Sequence, residues 1–237
     1  MARAGIPLLA VLIDADNSSP KWAEAIFDEI AALGEASVRR VYGDFARPAM
    51  KGWSDLTARL ALVPHHQPAN TVGKNASDIA LVIDAMDLLH SGRFDGFVLI
   101  SSDSDFTRLA SRIREQGLDV YGIGQQKTPE AFRKACKRFI FVENLIGDSE
   151  VASPEKGEPL RRENPTAALP LLLAALDTLG DEGDWVPMGP LGQALTTMQP
   201  DFDPRSYGCA KLSDLIRKTG RFENRKVGNQ MEIRRLD

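Results

Sequence analysis

Residues 8–17 read LLAVLIDADN, six apolar side chains from Leu8 to Ile13 running straight into Asp14-Ala15-Asp16-Asn17. A short unbroken apolar run closed by polar residues is the pattern of a strand buried on both faces, as in a parallel sheet. The run from Ile6 to Ile13 is too short for a signal-peptide core followed by a cleavage site, which again favours a first strand. In α/β sheets, ligands bind outside the carboxyl ends of the strands, so an acid at that end is a candidate for chemistry.

Beyond this run, further strand candidates are Ser37–Tyr42, Leu62–His66, Phe97–Ser101, Asp119–Ile123 and Phe139–Val142. Between them Lys21–Leu33, Trp53–Leu60, Ala76–His90, Phe106–Gln116 and Pro129–Lys137 carry helical periodicity, with Thr128 placed to cap the last of these ahead of Pro129. Strands alternating with helices predict an α/β domain, a mainly parallel sheet with helices on both faces, over 1–147. Residues 148–165 are rich in charge, Gly and Pro and read as a linker. Residues 166–237 start with an apolar helix, Ala167–Leu179, and end in an alternating tail, Val227–Met231–Ile233, which suits a small winged-helix-like domain.

Of 237 residues, 43% are hydrophobic and 26% charged, a balance that argues for globular structure over disorder. No apolar run approaches the ~20 residues a membrane span needs. Cys136 and Cys209 are far apart and form no CxxC pattern, so neither a disulfide nor a zinc site is expected, and a reducing, cytoplasmic location is. The net charge of −4 does not advertise nucleic-acid binding, but Tyr207–Asp237 holds eight Lys/Arg against four Asp/Glu. A local basic surface of that kind can hold phosphates on an acidic protein.

The acids fall where the fold would use them. Asp14 ends the first strand, Asp103 and Asp105 follow the fourth in Ser101-Ser102-Asp103-Ser104-Asp105-Phe106, and Asp78 lies near a helix start with Lys74 one turn before it. Clustered carboxylates repel one another, and a hard divalent cation is the usual reason to keep them together. Mg²⁺ or Mn²⁺ bound there activates water and offsets charge on a phosphodiester. An acid after a strand is also a common helix cap, and Asp105 fits that reading as well as a ligand role. Asp16 is read as ligand or solvated acid, Asp84 and Asp87 as structural or surface acids, and His65 and His66 as loop or surface residues. The turn Gly122–Pro129 offers backbone for one phosphate at a helix N-terminus. Arg133, Lys134, Lys137 and Arg138 beyond it form either a solvated face or a surface that steers RNA.

The segments VLIDADN, KNASDIALVIDAM, FVLISSDSDF, GLDVYGIG and AFRKACKRFIFVENL together resemble the NYN domain of the LabA-like branch, within the PIN-like nucleases. The resemblance spans about Pro7 to Leu145. It implies a PIN-like fold and metal-dependent RNA cleavage, with Asp14, Asp78, Asp103 and Asp105 on Mg²⁺ or Mn²⁺ and Asn17 supporting them. Val186–Leu195 and Ser206–Ile216 are similar to the OST-HTH (LOTUS) module, which implies RNA as partner. Lys74, Arg133, Lys134, Lys211, Arg217 and Lys218 are the RNA-binding candidates. No membrane is expected, and homo-oligomer formation stays open. Two rival readings stand beside this one. Asp14-Ala15-Asp16 also resembles the opening of haloacid-dehalogenase phosphatases, but no Lys stands between the Ser101-Ser102 pair and the acids. A non-catalytic RNA-binding protein with a PIN-like fold is the other, and the intact acids speak against it.

Overall fold

In the computed structural model, which describes residues 5–67, 76–145, 162–180, 185–228 and 230–236, the chain forms two compact units, Met1–Gly147 and Asp148–Asp237. The first contains β1 (Leu8–Asp14), α1 (Ala23–Leu33), β2 (Glu35–Gly43), α2 (Lys51–Thr57), β3 (Val63–His66), α3 (Ala76–His90), β4 (Gly96–Ile100), α4 (Thr107–Glu115), β5 (Asp119–Gly124), α5 (Glu130–Ala135) and β6 (Arg138–Phe141). All six strands are parallel in the order β3-β2-β1-β4-β5-β6. The order reverses between β1 and β4, so their carboxyl ends flank a crevice of the kind that receives ligands in α/β folds.

Alternation along the strands sorts two apolar layers. Leu9, Val11 and Ile13 pack with Ile26, Ile30 and Trp53 on the α1/α2 face. Ala10 and Leu12 pack with Leu81, Ala85, Leu88, Leu109 and Ile113 on the α3/α4 face. Asp14 has the parity of Leu12, which directs it to the face that carries α3. Both layers are continuous, so the register of β1 cannot slip by one residue without exchanging its two apolar sets.

Local chemistry moves some boundaries. The helix expected over Trp53–Leu60 starts at Lys51, because Pro48 opens a 3₁₀ turn that feeds it, and the chain leaves at Ala61, which takes φ 50. Thr128 does not cap α5: Pro129 holds that position, and the buried Thr128 hydroxyl has no hydrogen-bond partner. The glycines of the Gly122–Pro129 turn answer to packing. A β-carbon at Gly122 would lie 2.5 Å from the Phe139 ring and 2.7 Å from Cys136 Sγ, and one at Gly124 would lie 2.4 Å from the Ser101 carbonyl oxygen.

The second unit contains α6 (Leu169–Asp177), β7 (Val186–Pro187), α7 (Met188–Met198), α8 (Leu212–Thr219), β8 (Phe222–Val227) and β9 (Gln230–Arg235). The strands form an antiparallel sheet in the order β7-β9-β8, a winged-helix-like arrangement around Leu172, Leu191, Leu195, Leu215, Ile216 and Ile233. The alternating tail is the β8–β9 hairpin. Ile233 enters the core while Val227, at the hairpin end, is 50% exposed. Ahead of α6, the Glu163 amide donates to the Ser206 carbonyl and Asn164 caps the turn Pro165–Ala168, so these residues are structured with this unit. Among the described residues no helix is long and apolar enough to cross a membrane.

Overpacking strained backbone contacts costs about 1–3 kcal/mol. Gly124→Ala is expected to lose that much stability, read as a lower urea midpoint, since its methyl would meet backbone that cannot step aside. An unchanged midpoint would show that β4 and β5 separate freely at their carboxyl ends.

Candidate metal centre at the strand switch point

Asp14 is the last residue of β1, registers against Tyr42 on β2, and is 1% exposed. Its Oδ1 accepts the backbone N–H of Asp16 (3.1 Å) and of Asn17 (3.2 Å), and its Oδ2 accepts the Ser101 hydroxyl (2.6 Å). The same Ser101 oxygen accepts the Asp103 N–H at 3.0 Å. One buried carboxylate thereby ties the loop after β1 to the loop after β4. Burial pushes the Asp14 pKa up, and the hydrogen bonds from Ser101 and Asn17 work against that shift. The Asn17 backbone N–H thus donates to Asp14, whereas Ser101, quoted in the motif but given no role, carries a buried bond.

Asp103 caps the 3₁₀ turn Ser104–Phe106 by accepting the Asp105 N–H at 2.9 Å. Of the two readings left open for Asp105, the capping one falls to Asp103, and Asp105 is an exposed residue of the turn. Asp78 stands in the first turn of α3. Its pKa is pushed up to about 6 by burial first, and then by the charges of Asp14, Asp103, Asp16 and Asp105. Four aspartates from the β1 and β4 loops are close enough to α3 to be felt there.

Asp16, Asn17, Asp78 and Asp103 line one cleft of about 410 Å³ together with Ser18, Pro20, Asp44, Arg47, Ala49, Met50, Trp53, Gln67 and others. Asp14 and Asp105 do not reach its surface. Among the described residues no three acidic, His or Cys side chains stand close enough to hold an ion together. The acids are gathered around the cleft rather than closed on one point. Their chemistry still fits a hard cation: the ionisable donors are carboxylates, with no thiol or imidazole among the lining residues. Their mutual repulsion at Asp78 is what a dication would relieve.

His65 and His66 lie on β3 rather than in a loop, His66 exposed at the surface and His65 partly buried. Asp84 on α3 accepts from Arg40 (2.8 Å) and from the Tyr42 hydroxyl (2.7 Å), with His65 Nδ1 at 3.3 Å and the Tyr42 and His65 rings 4.9 Å apart. Burial, then Asp84, pushes the Tyr42 pKa up, and burial holds His65 down. Asp84 therefore anchors α3 to β2 as a structural acid, which sets where Asp78 falls six residues earlier.

The basic candidates divide. Lys74 lies outside the described residues. Lys134 pairs with Glu130 at 2.6 Å, and Arg133 stacks on the Phe141 ring at 5.6 Å; neither lines the cleft. Lys137 and Arg138 pair with Asp119 and Glu29. Lys211 precedes α8, and Arg217 and Lys218 lie in its last turn, all three exposed, with Arg217 3.4 Å from Asp214 and Lys218 donating to the Gly208 carbonyl.

Residues 8–144 match the NYN domain, and residues 163–233 match the OST-HTH/LOTUS domain. The chain belongs to the NYN family. Its NYN domain has the α/β PIN-like fold of that nuclease family, and an OST-HTH/LOTUS domain follows it. Among solved structures, a protein of unknown function from Vibrio parahaemolyticus RIMD 2210633 is similar over 62% of this chain and 98% of its own, at 19% identity and a TM-score of 0.50. An uncharacterised protein from Nitrosomonas europaea is 30% identical over 38% of this chain and 93% of its own, with a TM-score of 0.27. No curated protein matches the chain.

The Asp78 shift has a fixed sign. A carboxyl whose folded pKa is raised above its ordinary 3.8 costs stability once ionised. The cost is absent below that pH, grows as pH rises toward about 6, and is constant above. Asp78→Asn removes it. At pH 7.5 in EDTA the variant is expected to be more stable than the wild type by on the order of 1 kcal/mol, a figure reduced for solvent screening of a half-exposed group. The gain should vanish near pH 4 in thermal melts; a variant less stable at every pH would show that Asp78 is held by favourable contacts.

Proposed function

We propose that the NYN domain is a divalent-metal-dependent ribonuclease and that the OST-HTH/LOTUS domain holds its RNA. The observation that carries this reading is geometric: Asp16 and Asp103 from the switch-point loops and Asp78 from α3 line one open cleft. Asp78 and Asp103, which line the cleft, would hold Mg²⁺ or Mn²⁺, joined by Asp14 and Asp105, whose charges act on Asp78. When bound, such an ion supplies an activated water and offsets charge on the scissile phosphodiester. The protein's own part is positioning. Asp14, through Ser101 and the Asn17 amide, fixes the two loops that carry the acids, and Asp84 fixes the helix that carries the third.

The RNA-facing element of the second domain would be α8. Lys211, Arg217 and Lys218 are exposed on or beside a helix whose other side, Leu215, Ile216 and Thr219, is buried. An exposed basic helix flanked by a hairpin is a phosphate-binding surface that needs no net positive charge on the whole chain. Two buried free thiols fit a cytoplasmic, reducing setting.

Asp78→Asn and Asp103→Asn should each cost orders of magnitude in Mn²⁺-dependent cleavage of labelled RNA, because the charge that holds the cation is removed. RNA affinity in EDTA should stay level or rise, since a repelling carboxylate is gone. Asp14→Asn is a poorer probe, because an amide nitrogen cannot accept the bonds that this buried group receives. Cleavage that survives both surface substitutions, or a wild type inert with every divalent ion, would favour the non-catalytic RNA-binding reading.

Replacing Lys211, Arg217 and Lys218 together with Gln should weaken RNA binding and flatten its salt dependence by about 2 in log–log slope, at ~0.7 per neutralised phosphate on a single strand. An unchanged slope would mean the second domain contacts something other than a phosphate backbone.

A further inference from the structure

Asp16 is the one acid of the VLIDADN segment whose role the residues leave open, and its contacts are with protein groups. Its Oδ2 accepts the Ser77 hydroxyl of α3 at 2.9 Å, and its Oδ1 faces Arg47 Nη1 at 3.5 Å. Both oxygens are thus engaged by protein groups, one from each wall of the cleft. Arg47 lies between β2 and α2, with its N–H donating to the Asp44 carbonyl at 3.0 Å and Pro48 starting the next 3₁₀ turn. That backbone is held on both sides, so the long side chain is delivered to the cleft edge. Among the described lining residues Arg47 is the cation, set against Asp16, Asp44, Asp78 and Asp103.

We propose that Arg47 is the phosphate-binding residue of this cleft, and that Asp16 is a positioning residue that holds the guanidinium at the mouth until an RNA phosphate replaces the carboxylate. The inference rests on the ribonuclease reading and adds the residue that seats the substrate. The exchange is energetically open. The Arg47 side chain is 58% exposed and its pair with Asp16 is long. Exposed pairs of that kind contribute only about 0–1 kcal/mol. A phosphate offers the guanidinium two parallel charge-assisted bonds, a stronger and better-shaped partner. Asp78 and Asp103 line the same cleft, so Arg47 supplies there the positive charge that an anionic phosphate needs among acids that would otherwise repel it. Beyond Arg47, Pro20, Ala49 and Met50 give the cleft an apolar wall against which the adjoining sugar and base can rest.

The test is fluorescence anisotropy of a labelled single-stranded RNA in EDTA across a salt series, with the full chain and the variants Arg47→Gln, Arg47→Lys and Asp16→Asn. Each is measured as such and in the background carrying Gln at 211, 217 and 218. Arg47→Gln should lose about tenfold in affinity, the size of one charged hydrogen-bonding group, and about 0.7 in salt slope. Arg47→Lys should keep the slope and lose part of the affinity. Asp16→Asn, which still accepts from Ser77 but no longer holds the guanidinium, should bind RNA as tightly as the wild type or more tightly. Unchanged affinity and slope for Arg47→Gln in both backgrounds would overturn the proposal, as would an Asp16→Asn variant that loses RNA in step with Arg47→Gln. Because binding is read without a divalent ion, a chain that never cleaves RNA would sink the ribonuclease reading, while the Arg47 series would still decide the phosphate contact.

Discussion

A carboxylate buried at the end of a buried strand governs this site. Asp14 is nearly sealed from solvent, and its charge is answered by two backbone N–H groups and the Ser101 hydroxyl. An unsatisfied group at that depth would cost several kcal/mol, so the loops after β1 and β4 are held in the conformations that supply those donors. The sheet makes this arrangement possible. Its strand order reverses between β1 and β4, which leaves their ends adjacent and uncovered, and the alternation along β1 turns Asp14 toward α3. Asp78, Asp103 and Asp16 then collect at one cleft because the elements that carry them are fixed around this single group.

The helix that closes the site is secured separately. Arg40, Tyr42 and His65 gather on the Asp84 carboxylate, joining β2, β3 and α3 through one acceptor. Asp84 lies about 240° around α3 from Asp78, so one acid faces the sheet edge as an anchor while the other faces the cleft. The same helix therefore uses one aspartate for stability and leaves one exposed to the repulsion of its neighbours. That division is what makes Asp78 the charge a bound cation would benefit most.

The strands were legible because a parallel sheet buried on both faces needs unbroken apolar runs, and LLAVLID and FVLI are such runs. Asp14 directly ends its run and Asp103 follows the other after Ser101-Ser102, which is why their places beside the strand ends were legible. Asp84 was read only as a structural or surface acid, and the roles of His65 and Arg47 were not legible, since each owes its place to a partner on another element: β2 for Asp84, α3 for His65, the β1 loop for Arg47. No spacing in the chain announces such pairs. The glycines at 122 and 124 carry two readings for a related reason. A glycine kept for a phosphate and one kept because Phe139 and Ser101 press on the backbone look the same in sequence. Arg133 and Lys134 were ambiguous as a basic run, and their partners Phe141 and Glu130 place them in local contacts away from the cleft.

If the switch-point aspartates form a divalent-cation site, anomalous X-ray scattering from Mn²⁺-soaked crystals will locate the ion. An anomalous peak is expected in the cleft that Asp78 and Asp103 line, absent from crystals of Asp103→Asn treated in the same way. A cleft without Mn²⁺ at saturating concentration, or Mn²⁺ bound only to other acids of the chain, would refute the site.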